Sequence, residues 1–245
     1  RGIVGKSLTA DVVRRIGHAL GSLALEQGQA AIAVGRDGRL SGPELAGALI
    51  DGICAAGCDA IDVGRVPTPV TYFAAWELGC NSCVSVTGSH NPPDYNGLKM
   101  VIGGTTLALD AIQDLKQRIE ADNLNHGKGE RRSADVKSAY VEKIVSDVKL
   151  ARPLKIVMDC GNGVAGAVAP ELFKRLGCEI IPLYCEVDGN FPNHHPDPSK
   201  PENLADVSKA LKDTDAEIGI AFDGDGDRLG VVTKDGEIIY PDRQL

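Results

Sequence analysis

The sequence predicts an α/β protein built as two consecutive units. Two observations carry this reading. Short apolar strands alternate with segments of helical period along the chain, and a polar stretch at residues 121–133, with two glycines, interrupts the alternation once. Length and composition agree. The 245 residues suit one or two domains at roughly 100–200 residues each. Hydrophobic residues make up 43% and charged residues 24%, an ordinary globular balance that argues against disorder, collagen or coiled coil. Aromatics are only 4%, so the core must come mostly from Ala, Val, Ile and Leu.

The elements follow in order. Residues 9–27 have helical periodicity, with Thr9 a cap and Gly28 a stop. Residues 31–35 are an apolar strand. Ser41-Gly-Pro-Glu44 reads as a capping box opening a helix to about Gly57. A strand at 60–63 is followed by a helix through Phe73 and Trp76. Residues 82–87 form a strand ending in Gly-Ser-His-Asn-Pro-Pro; 98–102 is a strand and 109–119 a helix. Beyond the polar stretch come a helix at 135–148, a strand at 154–160, a helix at 164–176 and a strand at 180–184. A proline-rich loop covers 188–201, then a helix near 203–212 and a strand at 218–222. Residues 230–240 read as a hairpin turning at Lys234-Asp-Gly236.

Charge and cysteine content exclude several function classes. With 26 basic against 34 acidic residues, the formal charge is -8, which disfavours a phosphate-backbone partner. No apolar run approaches the ~20 residues of a membrane helix. Seven cysteines are an odd and small number, so reduced thiols in a cytoplasm fit better than a disulfide scaffold. Cys80-Asn-Ser-Cys83 has CxxC spacing, but no second CxxC completes a zinc set; two packed thiols on a strand is the simpler reading. The sequence begins at Arg1 and stops at Gln244-Leu245, and it is expected to be a piece of a longer chain.

Four segments could carry chemistry. Asp223-Gly-Asp225-Gly-Asp227-Arg228 directly follows an apolar strand. Three carboxylates at spacing two suit a hard cation such as Mg²⁺ or Ca²⁺, and the glycines let the backbone curl until they converge. An EF-hand needs Gly at its sixth position and Glu at its twelfth; this chain has Arg228 and Lys234 there. The alternative is a solvated acidic turn, which close repulsion makes less comfortable. Thr87-Gly-Ser-His-Asn-Pro-Pro93 puts Ser89 in a loop at a strand end, where α/β proteins place ligand chemistry. It lacks the G-x-S-x-G of a hydrolase elbow, and His90 is not expected to pair with its neighbour Ser89. Gly161-Asn-Gly163-Val-Ala-Gly166 matches the dinucleotide fingerprint, with Glu186 as an acid later than the usual spacing; an NAD-dependent oxidoreductase is one reading and a tight strand-to-helix turn the other. In Asn193-His194-His195-Pro196 the adjacent histidines point to opposite faces, so they should not share an ion. Arg36, Arg39 and Lys99 are either local positive charge for an anion or structural ion pairs.

Taken together, these segments resemble the α-D-phosphohexomutase family. The resemblance rests on Arg1-Gly2, Gly35-Arg-Asp-Gly-Arg39, Thr87-Gly-Ser-His-Asn-Pro92, Asn96-Gly-Leu-Lys99, Asp159-Cys-Gly-Asn-Gly163, Asp188 to Pro198 and Asp223-Gly-Asp-Gly-Asp-Arg228, in order and over nearly the whole chain. The likeness is nearest to the bacterial phosphomannomutase/phosphoglucomutase branch.

The resemblance implies the first half of a four-domain enzyme that interconverts hexose 1-phosphate and 6-phosphate. It implies two three-layer α/β domains with mixed sheets, residues 1–134 and 135–237, with 238–245 the opening of a third, sugar-binding domain. Ser89 would carry a phosphoryl group and pass it to the sugar, making a hexose 1,6-bisphosphate intermediate. Asp223, Asp225 and Asp227, with Ser89, would hold one Mg²⁺. Arg228 would close the metal loop, Lys99 and His90 would transfer protons or position the substrate, and Arg1 would be an active-site arginine. The implied partner is a phosphosugar substrate, bound by a monomer with no nucleic acid or membrane involved. A Mg²⁺- and phosphate-binding protein without turnover is the alternative from another class. The resemblance makes Gly161–Gly166 a structural turn.

Overall fold

The computed structural model describes residues 1–244; Leu245, the last residue of the expected third-domain opening, lies outside them. The chain forms two compact units. The first comprises Arg1–Gly88 and Asp94–Val136. The second comprises the chain from Lys137 onward, together with Ser89–Pro93.

In the first unit the order is β1 (Gly2–Ile3), α1 (Ala10–Glu26), β2 (Ala31–Arg36), α2 (Gly42–Ala55), β3 (Asp59–Arg65), α3 (Thr68–Glu77), β4 (Cys83–Val86), β5 (Tyr95–Asn96), β6 (Leu98–Ile102), β7 (Thr105–Thr106), α4 (Asp110–Glu120) and β8 (Arg131–Ser133). The main sheet runs β7-β6-β4-β2-β3-β8. Its β2, β3, β4 and β8 are parallel, β6 pairs antiparallel with β4 and β7 antiparallel with β6, so the sheet is mixed. β1 and β5 form a small antiparallel pair. The polar stretch at 121–133 ends in β8, which pairs with β3 as an edge strand of this sheet.

Strand alternation sends Ile32 and Val34 of β2 to the face covered by α1 and α2, where they join Leu20, Leu49 and Ile53 in one core. α3 packs on β2 and β4. Thr9 caps α1, its hydroxyl accepting from Val12 N at 3.3 Å. The expected capping box at Ser41 does not form. Ser41 is already helical in backbone (φ -75°, ψ -11°), and its hydroxyl accepts instead from Asn96 Nδ2 at 2.9 Å.

The second unit contains α5 (Lys137–Asp147), β9 (Lys155–Asp159), α6 (Ala169–Arg175), β10 (Glu179–Leu183), α7 (Ala205–Asp213), β11 (Ile218–Phe222), β12 (Leu229–Thr233) and β13 (Ile238–Ile239). The sheet order is β10-β9-β11-β12-β13, parallel among the first three strands and antiparallel after them. Alternation again makes three layers. Ile156 and Met158 of β9 face one core with Ala165 and Ala169, while Val157 faces another with Val207 and Leu211 of α7. The helix expected over 164–176 is broken. A 3-10 turn covers Val164–Ala167, and α6 begins only at Ala169. Pro170 is the reason: with no N–H it is tolerated in the first turn of a helix but not in its interior. The hairpin forms as read, with Gly236 at φ +87° in its turn. Pro241–Arg243 closes the described chain as a 3-10 turn. Among the described residues no helix is long and apolar enough to cross a membrane.

Candidate active site

The carboxylate loop leaves the C-terminal end of β11 and returns into β12, so the sheet fixes both its ends. Asp223, Asp225 and Asp227 can each offer an oxygen within 4.8 Å of the others. Asp223 and Asp225 are completely buried, and Asp227 is exposed. The two glycines have different jobs. Gly226 sits at φ +73°, where a side chain would be strained. Gly224 has no room for one, since a Cβ there would come 2.5 Å from the Ser89 carbonyl oxygen. The loop also binds itself: the backbone N–H groups of Asp227 and Arg228 both donate to Asp223 Oδ1 at 3.1 Å.

Ser89 belongs to the same unit. The residue is 1% exposed, and its hydroxyl donates to Asp223 Oδ2 at 2.9 Å. Ser89 itself adopts φ +52°, in the left-handed region that costs a non-glycine residue energy. That turn of the backbone overturns the expectation that Ser89 and His90 diverge: Ser89 Oγ and His90 Nδ1 lie 3.3 Å apart.

Burial, and then repulsion from Asp225 and Asp227, push the Asp223 carboxyl up to about 7, against the hydrogen bonds from Ser89 and Arg228 N–H. Buried carboxylates held this close without a cation are electrostatically unfavourable, and an all-oxygen donor set suits a hard divalent ion. The residues therefore fit Mg²⁺.

The Gly161–Gly166 segment is a packing turn. Gly163 lies against Gly224, where a Cβ would come 3.0 Å from its Cα, and Val164 N donates to the Gly224 carbonyl at 3.1 Å. Gly166 abuts the Cys185 carbonyl. Gly163 is needed for the close approach of the carboxylate loop and Gly166 for that of the Cys185 backbone, which accounts for the fingerprint without a dinucleotide. Beside the turn, His194 Nε2 meets the buried Asp159 at 2.9 Å, and this contact raises the imidazole above its usual 6.5.

The remaining expected residues sit in the first unit. Lys99 lies on β6 opposite Ser85, half-buried. Arg1 is exposed beside β1, at a cavity of about 550 Å³ shared with Leu8, Val12 and Leu98. The two arginines at the end of β2 and in the loop after it prove to be ion-paired. Arg36 meets Asp62 at 3.1 Å, and Arg39, 1% exposed, meets Asp37 at 3.1 Å.

Two acids escaped the sequence reading. Asp37 Oδ2 accepts from Thr87 Oγ1 at 2.7 Å and from Gly88 N at 3.1 Å, anchoring the chain up to the residue before Ser89. Its signal in the sequence is the acid between the two arginines of Arg36-Asp-Gly-Arg39. Asp197 stays below the usual carboxylate range although burial opposes this, held there by Ser199 hydrogen bonds and by the fields of His90 and His195.

The second unit is thus a three-layer α/β scaffold that sets a buried serine on a carboxylate cluster able to hold a divalent ion. Comparison with known proteins gives the family. The family model for phosphoglucomutase/phosphomannomutase, alpha/beta/alpha domain I, matches residues 1–126, and the model for domain II matches residues 138–236. The chain belongs to this α-D-phosphohexomutase family. It is 58% identical over 245 residues to the phosphomannomutase/phosphoglucomutase of Pseudomonas aeruginosa, spanning 100% of this chain and 53% of that protein. It is 58% identical over 247 residues to the phosphoglucomutase of Neisseria gonorrhoeae, 54% of which is covered. The crystal structure of a phosphoglucomutase/phosphomannomutase family protein from Burkholderia thailandensis is similar with TM-score 0.96 and 62% identity, over 100% of this chain and 55% of that one. The chain thus spans about half the length of the curated relatives it matches.

Proposed function

We propose that this chain supplies the phosphoryl-carrying and metal-binding parts of a mutase that interconverts hexose 1-phosphate and hexose 6-phosphate, of mannose, glucose or both. The observation that carries the reading is the hydrogen bond of buried Ser89 to Asp223, a member of the carboxylate cluster. Ser89 Oγ is the atom that takes and gives the phosphoryl group, through a hexose 1,6-bisphosphate intermediate. Phosphoserine carries about -1.5 to -2 charge, and transfer requires that charge to be neutralised. Asp223, Asp225 and Asp227, with a phosphate oxygen on Ser89, would hold one Mg²⁺, which supplies that neutralisation. His90, in contact with Ser89 Oγ, is placed to hold or move the hydroxyl proton. The Arg228 amide keeps Asp223 oriented. In the first unit, Lys99 is the proposed proton-transfer or positioning group and Arg1 a proposed active-site arginine.

The domain division proposed with this reading is 1–134, 135–237 and an opening of a third domain at 238–245. A phosphosugar partner, a monomeric working form and a cytoplasmic setting go with it.

The test is single-turnover discharge. The chain phosphorylated on Ser89, mixed with mannose or glucose 6-phosphate and Mg²⁺, should lose its phosphate to the sugar and yield the 1,6-bisphosphate. Release only as inorganic phosphate, at the same rate with or without sugar, would contradict the reading and favour a binding role without transfer.

A further inference from the structure

Outside the serine and carboxylate loops, the second unit brings two sulfurs together. Cys160 Sγ and Cys185 Sγ lie 3.3 Å apart, with Cys160 buried and Cys185 half-buried. The backbone arranges this. β9 and β10 run parallel with Asp159 opposite Leu183, and regular alternation would put Cys185 on the face that Leu183 uses. Tyr184 sits at φ +50° and breaks the alternation. Leu183 therefore packs into the core under α7, while Cys185 joins Cys160 in the core on the opposite face. An aromatic residue in the left-handed region is strained, and such strain persists only where the surroundings enforce it.

We propose that Cys160 and Cys185 are a peroxide-oxidisable dithiol, and that their disulfide pulls the turn after β9 away from the carboxylate loop. The roles of the two sulfurs differ. The sulfur–sulfur contact holds the Cys185 thiol below its usual value, and the same contact, with burial, pushes Cys160 up. Cys185, the more accessible, is the attacking thiolate. Its sulfur attacks one oxygen of hydrogen peroxide, the O–O bond breaks, and hydroxide leaves to become water, giving a sulfenic acid on Cys185. Cys160 Sγ then attacks Cys185 Sγ, the S–O bond breaks, and the departing hydroxide takes the thiol proton as a second water. In sum, two thiols and one peroxide give one disulfide and two waters.

The mechanical consequence follows from the packing. A disulfide is about 2.05 Å long, so the sulfurs must close by roughly 1.2 Å. The turn after β9 is tied to the Cys185 segment, so it follows when the sulfurs close: Asn162 N donates to the Tyr184 carbonyl at 2.8 Å, and Asn162 Nδ2 to the Glu186 carbonyl at 2.9 Å. The Cys160 side carries the turn in which Gly163 N donates to the Cys160 carbonyl at 2.6 Å and Val164 N to the Gly224 carbonyl at 3.1 Å. Moving Cys160 toward Cys185 draws on this last bond, which ties the turn to the loop of Asp223 and Asp225. On the proposed function, oxidation would then weaken cation binding by roughly tenfold, the usual cost of disturbing the groups behind metal ligands.

The experiment is peroxide treatment of the reduced chain, followed by intact mass, peptide mapping and amide hydrogen exchange at Val164. The proposal expects a loss of two hydrogens mapped to Cys160–Cys185, reversed by dithiothreitol. It expects the Val164 amide to exchange roughly five- to tenfold faster, which is what one net hydrogen bond is worth. In Cys185→Ser, or in Cys160→Ala should that variant not fold, peroxide should leave Val164 exchange unchanged. Stepwise gain of oxygen without loss of two hydrogens, a disulfide mapped elsewhere, or a Cys160–Cys185 disulfide with unchanged Val164 exchange would overturn it. Neither readout needs metal or phosphosugar, so failure here is separable from failure of the mutase reading.

Discussion

At Asp223 one side chain answers to three demands. It accepts from Ser89, it accepts two backbone N–H groups of its own loop, and it faces two further carboxylates. The pH dependence of the metal-free chain should show the conflict. Asp223 keeps its proton in the folded state up to about 7, whereas its unfolded counterpart loses it near 3.8. The folded state binds more protons across that window, so this group lowers stability as pH rises from 3.8 to about 7, with no further change above. His194 acts with the same sign but later. Its raised folded value gives stability that is complete below 6.5 and is lost as pH rises through that higher value. Asp223→Asn should therefore gain thermal stability over the parent as pH goes from 4 to 6.5 without divalent ions, and the difference should level off above 7. An unchanged gap between the two melting curves across this range would refute the assignment. The chemistry of the three aspartates was legible from spacing alone. The Ser89–His90 contact was not, because it depends on a positive φ that nothing in Gly-Ser-His announces. Asp37 was missed because its partners, Thr87 and Gly88, are fifty residues away in sequence.

Among the elements, the α1–α2 pair shows what glycine does between helices. A Cβ on Gly17 would run into the Leu49 carbonyl, and one on Gly52 into the Arg14 carbonyl, so the two helices meet backbone to backbone. Gly47, on the same helix as Gly52, has open space around its missing Cβ. The two should respond oppositely to alanine. Gly47→Ala should stabilise the chain by up to ~1 kcal/mol through helix propensity. Gly52→Ala should destabilise it by about 1–3 kcal/mol through overpacking. Denaturant melts of both variants check this, and equal effects would show that the contact is not tight. Periodicity located every helix and the longer strands, because alternation and amphipathic stripes are local, but the strands β1, β5, β7 and β8, of two or three residues each, are too short to show a period. It did not reveal the close helix approach, nor the break at Pro170, where an apolar pattern ran straight through a residue that can only begin a helix. Ser41 had the right spacing for a cap, but Asn96 took its hydroxyl.

For the molecule as a whole, the two α/β/α units follow from the alternation read along the chain, and both have the mixed sheets that the family resemblance implied. Sequence order alone did not show that Ser89–Pro93, flanked on both sides by the first unit, would cluster with the second. That placement sets the serine against Asp223 and underlies the central claim, that Ser89 accepts a phosphoryl group. The direct measurement is the intact mass of the chain before and after exposure to glucose 1,6-bisphosphate with Mg²⁺, run beside Ser89→Ala. The account predicts a gain of one phosphate, mapped to Ser89 and absent from a folded alanine variant. No gain in the parent, or an equal gain in the variant, would contradict it.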